Sequence, residues 1–300
     1  MRFNDFDQFA SLISEGKVEH YQLSKGSFNG VLQILVSEHM IISSHHMNQV
    51  IVQHGESTAG FVTFLLSGDM NQDFIWRKNR LKGNVVGILH DGMEHYSVLQ
   101  NSFYGLPVSI NKKYLYAMVE QMRCESFIDL VENNESVELE KYDAMRIQNL
   151  VSKLFLVKNI NEFSMNEIAK EIIYALLRAS SSEQRDVGSS RRKIFKTGLN
   201  HMLRNSYNPI KISELCNEIG VSERNLRYAF RDASGLSPKQ FVDRLRLNLV
   251  RNELKSGKFS KVVDVSGAFG YWHTGKFASD YYKLFSEYPS TSMNSTQVAY

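Results

Sequence analysis

The chain has 300 residues, 43% of them hydrophobic and 22% charged, with a formal net charge of +3. These are the proportions of an ordinary globular protein; they exclude a chain disordered throughout, and two cysteines, Cys124 and Cys216, exclude a disulfide scaffold. The length predicts two domains, and the charge divides unevenly: residues 191–300 hold 18 basic and 9 acidic residues, net +9, while residues 1–190 hold 17 and 23, net −6.

The N-terminal stretch Met1–Asp7 lacks a basic region followed by an apolar core, so no secretory signal is read there. Together with the free thiols, this predicts a cytoplasmic protein. The best apolar run, Val31–Val36, is far shorter than the ~20 residues of a membrane span. From residue 18 to about 109 the pattern is one of short strands: 18–23, 28–36, 40–43, 49–53, 61–66, 74–76, 85–89, 96–99 and 104–110. Gly26, Gly55, Gly68-Asp69, Gly83-Asn84 and Asp91-Gly92 punctuate them, which predicts a barrel or sandwich. The period then becomes helical. Tyr114, Leu115, Met118, Val119 and Met122 share one helix face; a second helix is expected over about 139–157, with Met145, Leu150, Val151 and Leu154 apolar; a third is expected over about 165–178. The polar, serine-rich run from Ala179 to Ser190 reads as a linker.

The basic block contains two similar segments. Leu215, Ile219 and Gly220 align with Val265, Phe269 and Gly270 at an offset of 50; Leu226, Phe230 and Pro238 align with Phe277, Tyr281 and Pro289 at an offset of 51. In each, a short helix ends at a glycine able to take the left-handed C-cap conformation, and a second helix follows, capped in the first unit by Ser222. Leu226 and Phe230 anchor the first of these second helices inward, which leaves Arg224, Arg227, Tyr228 and Arg231 on the opposite face. Phe277 and Tyr281 do the same in the second unit and leave His273, Thr274, Lys276 and Ser279 outward, with Lys283 one turn beyond. Such faces suit a major groove, where arginine reads guanine edges or holds phosphates. Ser237 and Pro238 start a long helix between the units, with Phe241, Leu245, Leu249 and Leu254 on its buried side.

Tandem helix-turn-helix units joined by one helix resemble the DNA-binding domain of the AraC/XylS family of bacterial transcription regulators, over about residues 193–292. Ala268, Gly270-Tyr271, Phe277, Tyr281-Tyr282-Lys283, Phe285 and Pro289 carry the resemblance, as do Arg246-Leu247, Val250-Arg251 and Leu254 between the units. Ser286 stands where the family usually has glycine, Tyr288 where it has a small hydroxyl residue, and Cys216 where alanine is common. The resemblance implies a cupin-like β-barrel with dimerisation helices ahead of the reader. The expected fold class is therefore α+β: an N-terminal cupin-like β-barrel with dimerisation helices and a C-terminal all-α tandem helix-turn-helix domain. The expected bounds are 1–178 for effector sensing and dimerisation (barrel about 18–110, helices about 111–178), 179–192 for the linker and 193–300 for the DNA-binding domain.

The expected function is a sequence-specific, DNA-binding transcription regulator, an activator and not an enzyme. Its expected partners are double-stranded promoter DNA, RNA polymerase, a small-molecule effector and a second copy of the chain, with no membrane and no cofactor. An alternative is a cupin-type metal enzyme fused to a DNA-binding domain, with metal in the His45, His46 and His54 region; another is a ligand-independent regulator whose barrel makes protein contacts. Adjacent His45 and His46 would point to opposite faces of a strand, which disfavours a shared metal. No Gly-x-Ser-x-Gly, P-loop or His-Glu-x-x-His motif is present. Cys124 and Cys216 read as packing residues. Phe28, Phe61, Phe64, Phe74, Trp76, Tyr96 and Phe103 read mostly as core, with some able to line a ligand cavity.

Overall fold

A computed structural model describes residues 1–13, 18–77, 79–156, 162–179, 190–205 and 210–294. The elements, in chain order, are β1 (Arg2–Phe3), α1 (Phe6–Ile13), β2 (Glu19–Gln22), β3 (Gly30–Val36), β4 (Met40–Met47), β5 (Ile51–Glu56), β6 (Phe61–Ser67), β7 (Asp73–Trp76), β8 (Asn79–Lys82), β9 (Val85–Leu89), β10 (Glu94–Leu99) and β11 (Phe103–Asn111). Then come α2 (Lys112–Gln121), α3 (Ser126–Asn133), β12 (Ser136–Glu138), α4 (Lys141–Leu154) and α5 (Glu162–Ala179). The helical remainder is α6 (Ser190–Arg204), α7 (Ile212–Glu218), α8 (Glu223–Ser234), α9 (Pro238–Lys255), α10 (Val262–Ala268), α11 (Thr274–Phe285) and α12 (Pro289–Asn294).

The strands form two antiparallel sheets in the orders β1-β3-β4-β11-β6-β9-β12 and β2-β5-β10-β7-β8. Among the described residues no strand pairing joins them, so the predicted barrel is an open, jelly-roll-like sandwich, compatible with a cupin. Alternation sets its layers. Phe28, Leu32, Met47, Phe74, Trp76 and Phe103 fill the interior with Phe6 and Phe9 of α1. The outer face of the larger sheet buries Ile42, Phe64 and Val108 under α2–α5. On α4, Met145 and Leu150 are exposed although the sequence reading counted them with the apolar residues; the buried positions are Ala144, Ile147, Val151 and Leu154, spaced by three and four.

The outer face of the smaller sheet carries Tyr21, Val52, Ile75, Tyr96 and Val98, and these share one apolar cluster with Phe195, Leu199, Phe230, Phe241 and Leu245 of α6, α8 and α9. The sandwich and the first helix-turn-helix unit therefore bury a common core. Helix α6 starts at Ser190, inside the segment read as a linker, while residues 180–189 of that segment lie outside the described residues. No helix among the described residues is long and apolar enough to cross a membrane.

Candidate nucleic-acid interface

Both helix-turn-helix units are built as the residue spacing predicts. Gly220 and Gly270 have φ of +67° and +70°. The residue after each closes the preceding helix, Val221 N donating to Cys216 O (3.0 Å) and Tyr271 N to Ser266 O (2.9 Å). This is the same Schellman-type closure twice, which only a residue at ease with positive φ permits. Ser222 Oγ accepts from Asn225 N at 3.2 Å and caps α8. His273 holds the corresponding place before α11 without a side-chain cap bond. Leu226, Phe230, Phe277 and Tyr281 are buried, with Tyr281 also hydrogen-bonded to Ser292 (2.7 Å).

Helix α9 fixes the two units against each other. Ser237 and Gln240 form a capping box at its start, and Pro238 occupies its first turn. Phe241 and Leu245 enter the first core; Leu247, Val250 and Leu254 enter the second. Leu249, expected fully on the buried side, is partly exposed, and the burial runs nearly round the helix because α9 touches both units and the sandwich. Arg246 donates to Phe269 O and lies 4.9 Å over the Tyr271 ring, tying the second turn to α9.

Every residue singled out for DNA contact is exposed. On α8 these are Arg224, Arg227, Tyr228 and Arg231; at the start and along α11 they are His273, Thr274, Lys276, Ser279 and Lys283. The Arg224 guanidinium sits 5.5 Å from the Tyr228 ring centroid. Arg191 of α6 approaches the same ring at 5.5 Å, so α6 adds a cation to the α8 face. The Arg191-Arg192-Lys193 run was the sequence signal for it, but only the fold brings it to Tyr228. On α11, Asp280 lies 2.6 Å from Lys276 and 3.6 Å from Lys283, and the Lys276 ammonium holds the Asp280 carboxyl below its ordinary range. Trp272, 82% exposed, stands beside His273 at the head of α11.

The histidines of the metal alternative do not converge. The His45 ring lies against Phe9 and the His46 ring against Tyr104, on opposite faces of β4, while His54 Nε2 turns to Asn200 Oδ1 of α6 (3.1 Å). Among the described residues, no group of three or more His, Cys, Asp or Glu side chains is placed to hold a metal ion. His20 and His95 meet across Gln53 instead: its amide nitrogen lies 2.9 Å from His20 Nε2 and its oxygen 3.3 Å from His95 Nε2. Desolvation pushes His20 down to about 4 and His95 down to about 3, so both are neutral core groups near neutral pH. Cys216 is buried in the first unit's core and Cys124 packs against the sheet–helix core; burial pushes both thiols up.

A helix-turn-helix domain family model matches residues 215–295. A probable AraC family transcriptional regulator from Rhodopseudomonas palustris, known by crystal structure, is 30% identical over 35% of this chain and 97% of its own, with a TM-score of 0.33. The XylDLEGF operon transcriptional activator 1 of Pseudomonas putida is 24% identical over 136 residues, 45% of this chain and 40% of that protein. The probable thc operon regulatory protein of Rhodococcus erythropolis is 24% identical over 102 residues, 33% of this chain and 31% of that protein. The matched region thus spans less than half the length of these curated relatives.

Proposed function

The chain belongs to the AraC/XylS family of bacterial transcription regulators, and from that premise we propose that it binds promoter DNA through α8 and α11 and activates transcription in the cytoplasm under control of an effector. One observation carries the DNA reading. Two helices, held by α9, each bury an aromatic or aliphatic face and turn outward a face of cations and hydrogen-bonding groups: Arg224, Arg227 and Arg231 on one, Thr274, Lys276, Ser279 and Lys283 on the other. Such helices fit successive major-groove segments about one helical turn, ~34 Å, apart. Recruitment of RNA polymerase follows from the activator role.

Exposed apolar side chains on α4 support the homodimer reading. Tyr142 is 74% and Met145 51% exposed, and Leu150 lies two turns on from Tyr142. A second copy packing α4 against α4 would cover them.

The test is fluorescence anisotropy with a cognate promoter fragment at several salt concentrations. Replacing Arg227 with alanine is expected to cost ~1–3 kcal/mol and to relax preference at one base position if Arg227 reads a base. Unchanged affinity and unchanged preference would remove Arg227 from the interface.

A further inference from the structure

The basic run that opens α6 is divided by the helix itself. Residues three, four or seven apart share a helix face, so Arg191, Phe195 and Gly198 point one way and Lys193, Lys196 and Asn200 another. The first face packs on α8: the Phe195 and Phe230 ring centroids are 4.9 Å apart, and a Cβ on Gly198 would meet the Phe230 ring at 2.9 Å. The second face turns to the smaller sheet. Lys196 Nζ lies 2.6 Å from Glu94, Asn200 donates to the same carboxylate at 3.0 Å, and Lys193 lines the cavity beside Arg77 and Tyr96. Arg191 is thus the member of the run carried to the α8 side.

Arg191 is exposed, and its guanidinium lies 5.5 Å from the centroid of the Tyr228 ring, the distance at which Arg224 also meets that ring. Two guanidinium groups, one from each helix, therefore share one aromatic side chain, within the ~6 Å that cation–π contacts span. Among the described residues no carboxylate neutralises Arg191. Arginine stacks on aromatic faces, and the ring restricts a side chain that would otherwise sample many rotamers. The charge is held at the edge of the outward α8 face before any partner arrives, which lowers the ordering cost of binding.

We propose that Arg191 holds a DNA phosphate at the rim of the groove that α8 enters, which makes α6 a third DNA-binding element beside α8 and α11. Geometry favours phosphate over base. One α-helix fills the major groove, so a helix packed on its buried side stays outside, and a cation at the edge between the two meets the sugar–phosphate backbone. Such a contact fixes register and carries no sequence information. The inference rests on the reading of α8 as a groove-binding helix and adds an element and a class of contact to it. The opposite face of α6 is bonded to the sandwich through Glu94 of β10, and Asn200 also meets His54 of β5 at 3.1 Å. A phosphate held by Arg191 therefore sets the position of the sandwich relative to the DNA.

The experiment is fluorescence anisotropy of the full chain with two duplexes, one selected from a random-sequence pool by the full chain itself and one scrambled from it, over a series of salt concentrations. Arg191→Gln should lower the slope of log K against log salt by ~0.9 on both duplexes, which at ~0.1 M salt is a weakening of ~8-fold, and should leave the ratio between the duplexes unchanged. Lys193→Gln, the same loss of charge two residues away on the sheet-facing side, should leave the slope as it is in the parent. In a Tyr228→Ala background Arg191→Gln should cost less, because the ring no longer holds the guanidinium in place; an equal cost there would refute the ring's hold. An unchanged Arg191→Gln slope, a loss confined to the selected duplex, or an equal loss from Lys193→Gln would overturn the phosphate contact. A full chain that binds neither duplex overturns the reading of α8 as well, whereas parent binding with an unaffected Arg191→Gln variant overturns the α6 contact alone.

Discussion

Arg251 is 4% exposed, one turn before the end of α9, and joins three distant parts of the chain. Its Nε donates to Asp7 Oδ2 at 2.8 Å, its Nη1 donates to Glu287 and to Ser292 Oγ (3.3 Å), and Asp5 lies 3.7 Å from Nη2. Lys255, one turn on, reaches Asp5 at 2.5 Å and Asp7 at 2.6 Å. The cluster clamps the start of α1 to α9 and to the segment after α11. Arg251→Met keeps the stem beside the Phe285 ring, 4.9 Å from the guanidinium, but strips three carboxylates, Asp5, Asp7 and Glu287, of their shared cation. Removing one partner from a buried pair costs about 3–5 kcal/mol. The carboxylates here are 25–27% exposed and Lys255 remains with two of them, so the low end, about 3 kcal/mol, is expected. At roughly 2–4 °C per kcal/mol for a chain of 150–250 residues, the melting temperature should fall ~6–12 °C. Urea unfolding followed through Trp76, buried in the sandwich, measures it. Asp7→Asn alone should cost about 1.5–3 kcal/mol, since it weakens charge-assisted contacts to both Arg251 and Lys255. The double variant should show a coupling of at least ~0.5 kcal/mol. A loss under about 1 kcal/mol for Arg251→Met, or strict additivity, would refute the clamp.

Three further outcomes follow from individual residues. Ser286 closes α11 with φ of +57°, where the family usually has glycine; a left-handed L-residue costs about 1–2 kcal/mol, so Ser286→Gly should stabilise by about 1 kcal/mol, and a thermal melt with no rise would count against that strain. His20 and His95 have folded values depressed to about 4 and about 3, against ~6.5 in the unfolded chain. Their contribution is full above pH ~6.5 and is lost as pH falls toward 4, at ~1.4 kcal/mol per pH unit for each; His45, pushed down to about 3 by burial, adds a third such group, so urea midpoints at pH 7, 6 and 5 should drop accordingly and His20→Gln should flatten the slope by about a third. Tyr142→Asp/Met145→Asp should convert a dimer to monomer in sedimentation, with the far-ultraviolet spectrum unchanged; a dimer that persists would place the contact elsewhere.

The elements with strong periodicity and clear punctuation were legible in the residues. The nine expected strands correspond to β2–β7 and β9–β11, and the three expected helices to α2, α4 and α5. The helix-turn-helix units were legible because glycine, cap and anchor recur at fixed offsets. β8 was not, since Asn79-Arg80-Leu81-Lys82 has one apolar residue and owes its shape to pairing with β7. α1 was overlooked although Asp5 Oδ1 accepts from Asp7 N (2.8 Å) and Gln8 N (3.2 Å), a cap pattern visible as Asp before an apolar helix face. The site divides the same way. Outward-facing residues follow from helical spacing, whereas Arg191 comes beside Tyr228 only through the packing of α6 on α8, and no local period encodes that.

The docked seam also explains why an acidic half does not cancel the basic one. Its carboxylates meet cations of the reader that face away from the reading helices: Asp5 and Asp7 take Arg251 and Lys255, and Glu94 takes Lys196. Polar contacts do the rest. The Asn248 side chain pairs with the Gln22 backbone in both directions (2.8 and 2.9 Å), and Gln22 Nε2 and Gly26 N both donate to Leu284 O at the end of α11 (2.9 and 3.1 Å). The sandwich therefore caps the second reading helix from behind with neutral donors. Arg224, Arg227 and Arg231 lie on the opposite, solvent side of α8, where their field is screened mainly by salt. Neutralising the seam and leaving the outward faces of α8 and α11 charged is the arrangement by which a chain of net charge +3 can hold its acidic half tightly and still present phosphates with a concentrated positive surface.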